Sequence, residues 1–322
     1  MIKSFFGTKE WRLWAWGGGL LLTMMIWGRV QLYVKFNEWY GVFYDIVQKA
    51  DDLEAFWKSI YDFSYIAFSL IAIAVAIYYF KKHYAFRWRQ AITYYYLPHW
   101  EKREGNIEGA SQRIQEDTGQ FAFYLEYLGL GLFQSVLTLI AFIPILWMLS
   151  SKIPVPWLAG VDGALVWIAL VTSIGGMAIS YFVGIKLPKL EYENQRVEAA
   201  YRKHLVYSED HIDYRDIPTI HGLFDDLRTN YFRMFNHYSY FEAWGVFYSQ
   251  SMVIVPIIIA GPPIFTKVIT LGVMMKVLSA FGKVNDSFSY FIDHWTEITK
   301  FISVIKRLRE FEGHLIPVMK EA

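Results

Sequence analysis

Phe63-Ser64-Tyr65-Ile66-Ala67-Phe68-Ser69-Leu70-Ile71-Ala72-Ile73-Ala74-Val75-Ala76-Ile77-Tyr78-Tyr79-Phe80 runs without a single charge, and Lys81-Lys82 follow it directly. A bilayer core about 30 Å thick asks for about 20 apolar residues at 1.5 Å each, so this run predicts a membrane-crossing helix. The composition around it agrees. Of the 322 residues, 55% are hydrophobic, 19% aromatic and 19% charged, against roughly a quarter charged in a soluble domain. Thirty-one basic and 30 acidic side chains leave a net charge of +1, too little for a basic field that gathers nucleic acid. There is no Cys, which excludes disulfides, thiolate zinc sites and cysteine nucleophiles. The eight His are scattered with no metal-binding spacing, so neither metal nor cofactor is expected. The chain reads as a membrane protein.

Five more runs have the length to span: Leu13–Phe36, Tyr124–Leu149, Gly163–Ile185, Ala243–Gly261 and Phe265–Phe281, the last two parted by the Gly261-Pro262-Pro263 turn. Six spans are expected. Positive charge concentrates in the N-terminus, in residues 81–120 and 186–242, and in the C-terminal tail, while Asn37–Asp62, Ser150–Asp162 and Pro262–Thr266 carry little. Basic segments stay on the cytoplasmic side, which puts both termini inside, as an even number of spans also requires. The opening Met1-Ile2-Lys3-Ser4-Phe5-Phe6 is read as retained, since no small-residue cleavage site follows the apolar run.

The two long basic segments read as helical extensions into the cytoplasm, because Lys189–Tyr207 is rich in Glu, Arg and Ala and Arg87–Tyr96 lacks Pro. Six spans with long inner extensions and short outer loops match an ABC-exporter-like transmembrane domain, a single all-α integral membrane unit over 1–322. Such a domain ordinarily draws on ATP, yet no G-x-x-x-x-G-K-[ST] loop occurs and only ten residues follow Glu312. No nucleotide-binding domain is therefore expected. Either a separate chain supplies an ATPase or an ion gradient drives transport.

Acidic residues fit the gradient. Glu191, Glu198 and Glu209 are seven and eleven residues apart, so a regular helix shows them on one face over about 27 Å. Glu126, at the inner end of the third span, and Glu116, ten residues earlier, are candidates to face the same space. A carboxyl group titrates near 4.3 in water, and burial or a like charge raises that value toward the range where protons load and leave. The same residues also fit a solvated surface: Arg202 stands four residues after Glu198, and Glu209 with Asp210 can simply end a helix. In the last span, Lys276, Lys283 and Asp286 share a third of the helix circumference with Asp293, Glu297 and Lys300, which points to a wet path lined by the first three. At the outer side, Asp51, Asp52, Glu54 and Asp62 make an acidic mouth able to draw in cationic peptides or merely to be solvated.

Several ordered strings carry a resemblance. They are Asn37-Glu38-Trp39-Tyr40-Gly41-Val42-Phe43-Tyr44-Asp45, His83-Tyr84-Ala85-Phe86-Arg87-Trp88-Arg89 and Ile107-Glu108-Gly109-Ala110-Ser111-Gln112-Arg113-Ile114-Gln115-Glu116-Asp117-Thr118. Gly184-Ile185-Lys186-Leu187-Pro188, Asn194-Gln195-Arg196-Val197-Glu198-Ala199-Ala200-Tyr201-Arg202-Lys203 and Lys306-Arg307-Leu308-Arg309 complete the set. The chain resembles the SbmA/BacA family of bacterial inner-membrane peptide transporters from about residue 30 to about residue 312. The resemblance implies a homodimer with no ATPase, importing antimicrobial peptides and peptide-derived antibiotics from the periplasm on the proton gradient. It implies a glutamate ladder for proton coupling, onto which Glu126, Glu198 and Glu209 map by local motif. This sequence departs from better-known members in lacking a further N-terminal hydrophobic segment, which puts any role of that segment in doubt.

Overall fold

A computed structural model describes residues 1–102, 110–155, 158 and 160–321. Arg103 and the Ile107-Glu108-Gly109 start of one matching string lie outside the described residues. Every regular element among the described residues is helical. Short wide turns at Lys3–Gly7 and Leu13–Gly18 lead into α1 (Gly19–Lys49), which pairs with α2 (Leu53–Glu101) in a hairpin. Only residues 50–52 make the turn. Ala50 takes the left-handed conformation (φ 53°) that closes α1, and the Asp52 carboxylate accepts from Ala55 N at 2.8 Å to cap α2. The segment Asn37–Asp62, expected as an outer connection, is thus almost wholly helical. Charge at Glu38 or Asp45 ends an apolar run but does not break a helix's own hydrogen bonds.

α3 (Ala110–Ser150) contains two stretches of wider, π-type winding, Arg113–Asp117 and Leu125–Gly129. Glu116 lies in the first and Glu126 in the second, and such irregular turns often accompany functional sites. Gly163 precedes α4 (Ala164–Gly184) at φ 70°, and the Trp147 ring fills the space a Cβ would need there. Then come α5 (Leu187–Asp210), with Pro188 in its first turn, and α6 (Ile217–Ala260). The one-turn α7 (Pro262–Phe265), α8 (Leu271–Asp293) and α9 (Trp295–Glu321) follow.

Among the described residues, four stretches are long and apolar enough to cross a membrane: Leu53–Glu101, Ala110–Ser150, Ala164–Asp210 and Ile217–Phe265. Their large apolar side chains point outward, with Phe68 72% and Val171 68% exposed. In water that surface is untenable; against lipid it is the low-energy arrangement. α1 and α8 have the length of spans, but Arg29, Lys35, Lys276, Lys283 and Asp286 interrupt their hydropathy.

The chain divides into two compact units, Met1–Ala169 with Pro256–Ala322, and Leu170–Val255. In the first, α1 packs on α2 and α8, and α8 packs on α3. The C-terminal part of α2 and the N-terminal part of α3 share a core with α9, built from Ile92, Tyr96, Ile114, Phe121, Leu308 and Phe311. α1 and α8 approach backbone to backbone: a Cβ on Gly272 would strike the Gly41 carbonyl and the Asp45 carboxylate. Gly272→Ala is therefore expected to lose about 1–3 kcal/mol through overpacking. Thermal melting of the purified protein in detergent reads this, and an unchanged melting point would show that the seam is not tightly closed.

The second unit is a helical hairpin. Gly176 gives room to the Tyr248 ring, Trp244 Nε1 donates to Ser180 Oγ at 2.8 Å, and Phe241 packs over Gly184. Further along, Asn230 Nδ2 donates to Asn194 Oδ1 at 3.3 Å, and Tyr201 stacks edge-on against Phe224.

Candidate functional site

In the first unit, the wide turn at Leu125–Gly129 directs Glu126 back onto α2. Its carboxylate lies 3.0 Å from Lys82 Nζ and 3.5 Å from Lys81 Nζ, the two lysines that end the apolar run. Glu126 is therefore an ion-paired group. It borders an open groove of about 440 Å³ lined by Lys82, Phe86, Arg89, Gly119 and Phe123. Glu116, in the earlier wide turn, is exposed and accepts from Gln112 and Gln120 at 3.2 and 3.0 Å. Its neighbour Asp117 points the other way, into the protein.

Asp117 is the most deeply held charge of this region, its side chain 2% exposed. Arg113 Nη1 donates to it at 2.6 Å across one turn, and Arg307 of α9 donates through Nη2 at 2.7 Å and Nε at 3.1 Å. Burial pushes the Asp117 carboxyl up, but the two guanidiniums more than offset this and hold it below the usual carboxylate range. The matching strings around Arg113–Asp117 and Lys306–Arg309 are thus two halves of one clamp. Sequence reasoning saw both strings and not their contact, because residues 190 positions apart give no periodic signal.

In the second unit, α5 is regular from Leu187 to Asp210, so the spacing of Glu191, Glu198 and Glu209 holds along its face. Glu198 is half-buried and accepts from the Tyr231 hydroxyl of α6 at 2.8 Å. Burial, and then the nearby Glu191 carboxylate, push the Tyr238 phenol above its usual range, which puts Glu191 against α6 as well. Glu209 is exposed in the last turn of α5. The structure thus sets two of these carboxylates against α6 and leaves the third in the open.

α8 carries the predicted wet-path residues, and two of them, Lys276 and Lys283, meet α1. The Lys276 stem fills the space above Gly41, and its carbonyl accepts from Asn37 Nδ2 at 2.8 Å. Lys283 Nζ sits 4.1 Å above the Tyr33 ring. Asp286 is exposed, close enough to Lys283 for attraction. Gly272 N donates to Asp45 Oδ1 and Leu271 N to Gln48 Oε1, both at 2.8 Å. The facing α1 residues Arg29, Tyr33, Asn37 and Asp45 were not singled out from the sequence. Their signal was the repeated four-residue step, which traces a slowly winding stripe along a helix.

At the turn between α1 and α2, Val42, Asp45, Ile46, Lys49, Asp51 and Asp52 line a groove of about 650 Å³. Among the described residues, no group of His, Cys, Asp and Glu could hold a metal ion.

The relatives of the chain are transport proteins by name. It is 26% identical over 316 residues to an inner membrane ABC transporter ATP-binding protein, YddA, of Escherichia coli, across 91% of this chain and 56% of that protein. It is 25% identical to an uncharacterized ABC transporter ATP-binding protein of Synechocystis, across 94% of this chain and 46% of the other. ABC transporter D family member 2, chloroplastic, of Arabidopsis thaliana is also 25% identical, over 74% of this chain and 34% of that one. The chain spans about half the length of the first two. The profile of the SbmA/BacA-like family covers residues 8–316, which takes in α1 to α8, both carboxylate-bearing helices and the Asp117–Arg307 clamp. On that match the chain belongs to the SbmA/BacA-like family.

Proposed function

We propose that the chain is the six-span transport unit of a homodimer that imports peptides and peptide-derived antibiotics across the bacterial inner membrane, driven by the proton gradient. Both termini lie in the cytoplasm. Family membership supports the reading as transport, and the observation that carries the coupling is Glu198, a half-buried carboxylate held by the Tyr231 hydroxyl. Glu126, Glu191 and Glu209 extend the relay, with Glu116 as an accessory. Lys276, Lys283 and Asp286 line the cavity. The cycle is alternating access. A peptide enters from the periplasm, protonation of the carboxylates lets the two copies close around it, and deprotonation inside accompanies release. The acidic outer groove around Asp51 and Asp52 raises the local concentration of cationic cargo.

A second reading is favoured by the relatives' names, which describe ATP-binding proteins about twice as long as this chain. In it, an ATPase supplies the energy and the carboxylates are structural. Proteoliposomes holding the full chain separate the two. Uptake of a labelled proline- and arginine-rich peptide is expected with an acidic exterior and no nucleotide, and an uncoupler should abolish it. Uptake that ignores the pH gradient and appears only with an added ATPase and ATP would favour the second reading.

A further inference from the structure

Arg29, Tyr33, Asn37, Gly41 and Asp45 form one stripe along α1, and Gly272, Lys276 and Lys283 of α8 lie against it. Depth can be read from α2. The Ile73 side chain reaches Gly28, and Ile73 stands midway along the uncharged run Phe63–Phe80. Arg29, the next residue, is therefore at the middle of the apolar layer. Lys283 is near enough to Arg29 for the two to repel, and Asp286 is the acid close to Lys283. Two cations thus lie close together at that level, with Asp286 near Lys283. Arg29 Nε is buried and has no hydrogen-bond acceptor among the described residues.

Uncompensated charge at mid-membrane costs several kcal/mol, and such residues normally face a partner or a ligand pathway. The missing partner is an anion. Phospholipid phosphates lie at the bilayer faces, about 15 Å from its centre, and do not reach this level. A passing peptide does bring one: its terminal carboxylate, whose two oxygens match the planar fork of a guanidinium. We propose that Arg29 and Lys283, with the Tyr33 ring against the ammonium, bind the C-terminal carboxylate of a transported peptide. This rests on the peptide-import reading above, and it adds what that reading leaves open: which end of the cargo is recognised, and where.

The test uses one dye-labelled proline- and arginine-rich peptide without Asp or Glu, made as the free acid and as the C-terminal amide. The full chain in nanodiscs is expected to bind the acid about tenfold more tightly, the worth of one charge-assisted contact. Arg29→Gln and Lys283→Gln should each collapse that ratio, with the loss falling on the acid. Arg29→Lys keeps the charge and should retain part of the preference, which guards against a merely misfolded variant. Equal binding of acid and amide, no binding of the acid, or a ratio that survives both Gln variants overturns the site. A parallel liposome uptake assay separates the two ideas. An acid preference without uptake upholds the site and sinks the import reading; uptake without acid preference does the reverse.

Discussion

Asp117→Ala is expected to cost the protein about 3 kcal/mol of stability, the lower end of the range for breaking a buried ion pair. The reason is what remains. Without the carboxylate, Arg113 and Arg307 are left facing each other, 26% and 32% exposed, beside the core formed by Ile114, Phe121 and Leu308. Their partial access to water is what keeps the cost at the lower end. Arg307→Ala should cost less, because Arg113 still neutralises Asp117, and Asp117→Asn should recover part by keeping an acceptor oxygen. Melting points in detergent give all three, and a wild-type melting point for Asp117→Ala would refute the clamp. A pH series adds an independent check. The folded carboxyl lies below its ordinary value, so the clamp's contribution is complete above the ordinary carboxylate range and is lost as pH falls through the lower folded value. Asp117→Asn should therefore flatten the acid side of the stability curve and leave the neutral region parallel to wild type.

The second large effect concerns Glu198. Gln has the same shape and still accepts from the Tyr231 hydroxyl, but it cannot take up or release a proton at neutral pH. Glu198→Gln is expected to bring peptide uptake under an acidic exterior down to the rate seen without a gradient. Exchange of labelled for unlabelled peptide, which needs no net proton movement, should continue. Tyr231→Phe leaves the carboxylate in place and should keep the response to the gradient. If Glu198→Gln retained full gradient-driven uptake, that residue would have no part in coupling, whatever carries the protons.

The apolar run Phe63–Phe80 was legible because hydropathy is a local property, and the continuation of α2 to Glu101 followed from good helix formers with few breakers. The extent of α1 was not: hydropathy stops at charge, whereas the helix continues to Lys49 until Ala50 turns it. At the site, the spacing of Glu191, Glu198 and Glu209 was readable because all three belong to one helix. Their unequal burial was not, since it depends on where α6 runs beside α5. Likewise Glu126 read as a candidate to face the carboxylate-lined space, and the two lysines that neutralise it come from a neighbouring helix. The stripe on α1 shows the remaining gap. Charges on α8 were counted alone, and the facing polar residues gained meaning only when the two helices were seen in register.

The meeting of Gly41 and Gly272 also bears on how such a machine moves. With the two main chains touching at that point, one helix cannot ratchet lengthwise past the other: a slip of one turn would bring the Lys276 side chain to where Gly272 now fits. The pair must swing as one beam, so any gate that opens in this half of the molecule has its hinge elsewhere, and a crosslink between these two helices should leave the gate free to work.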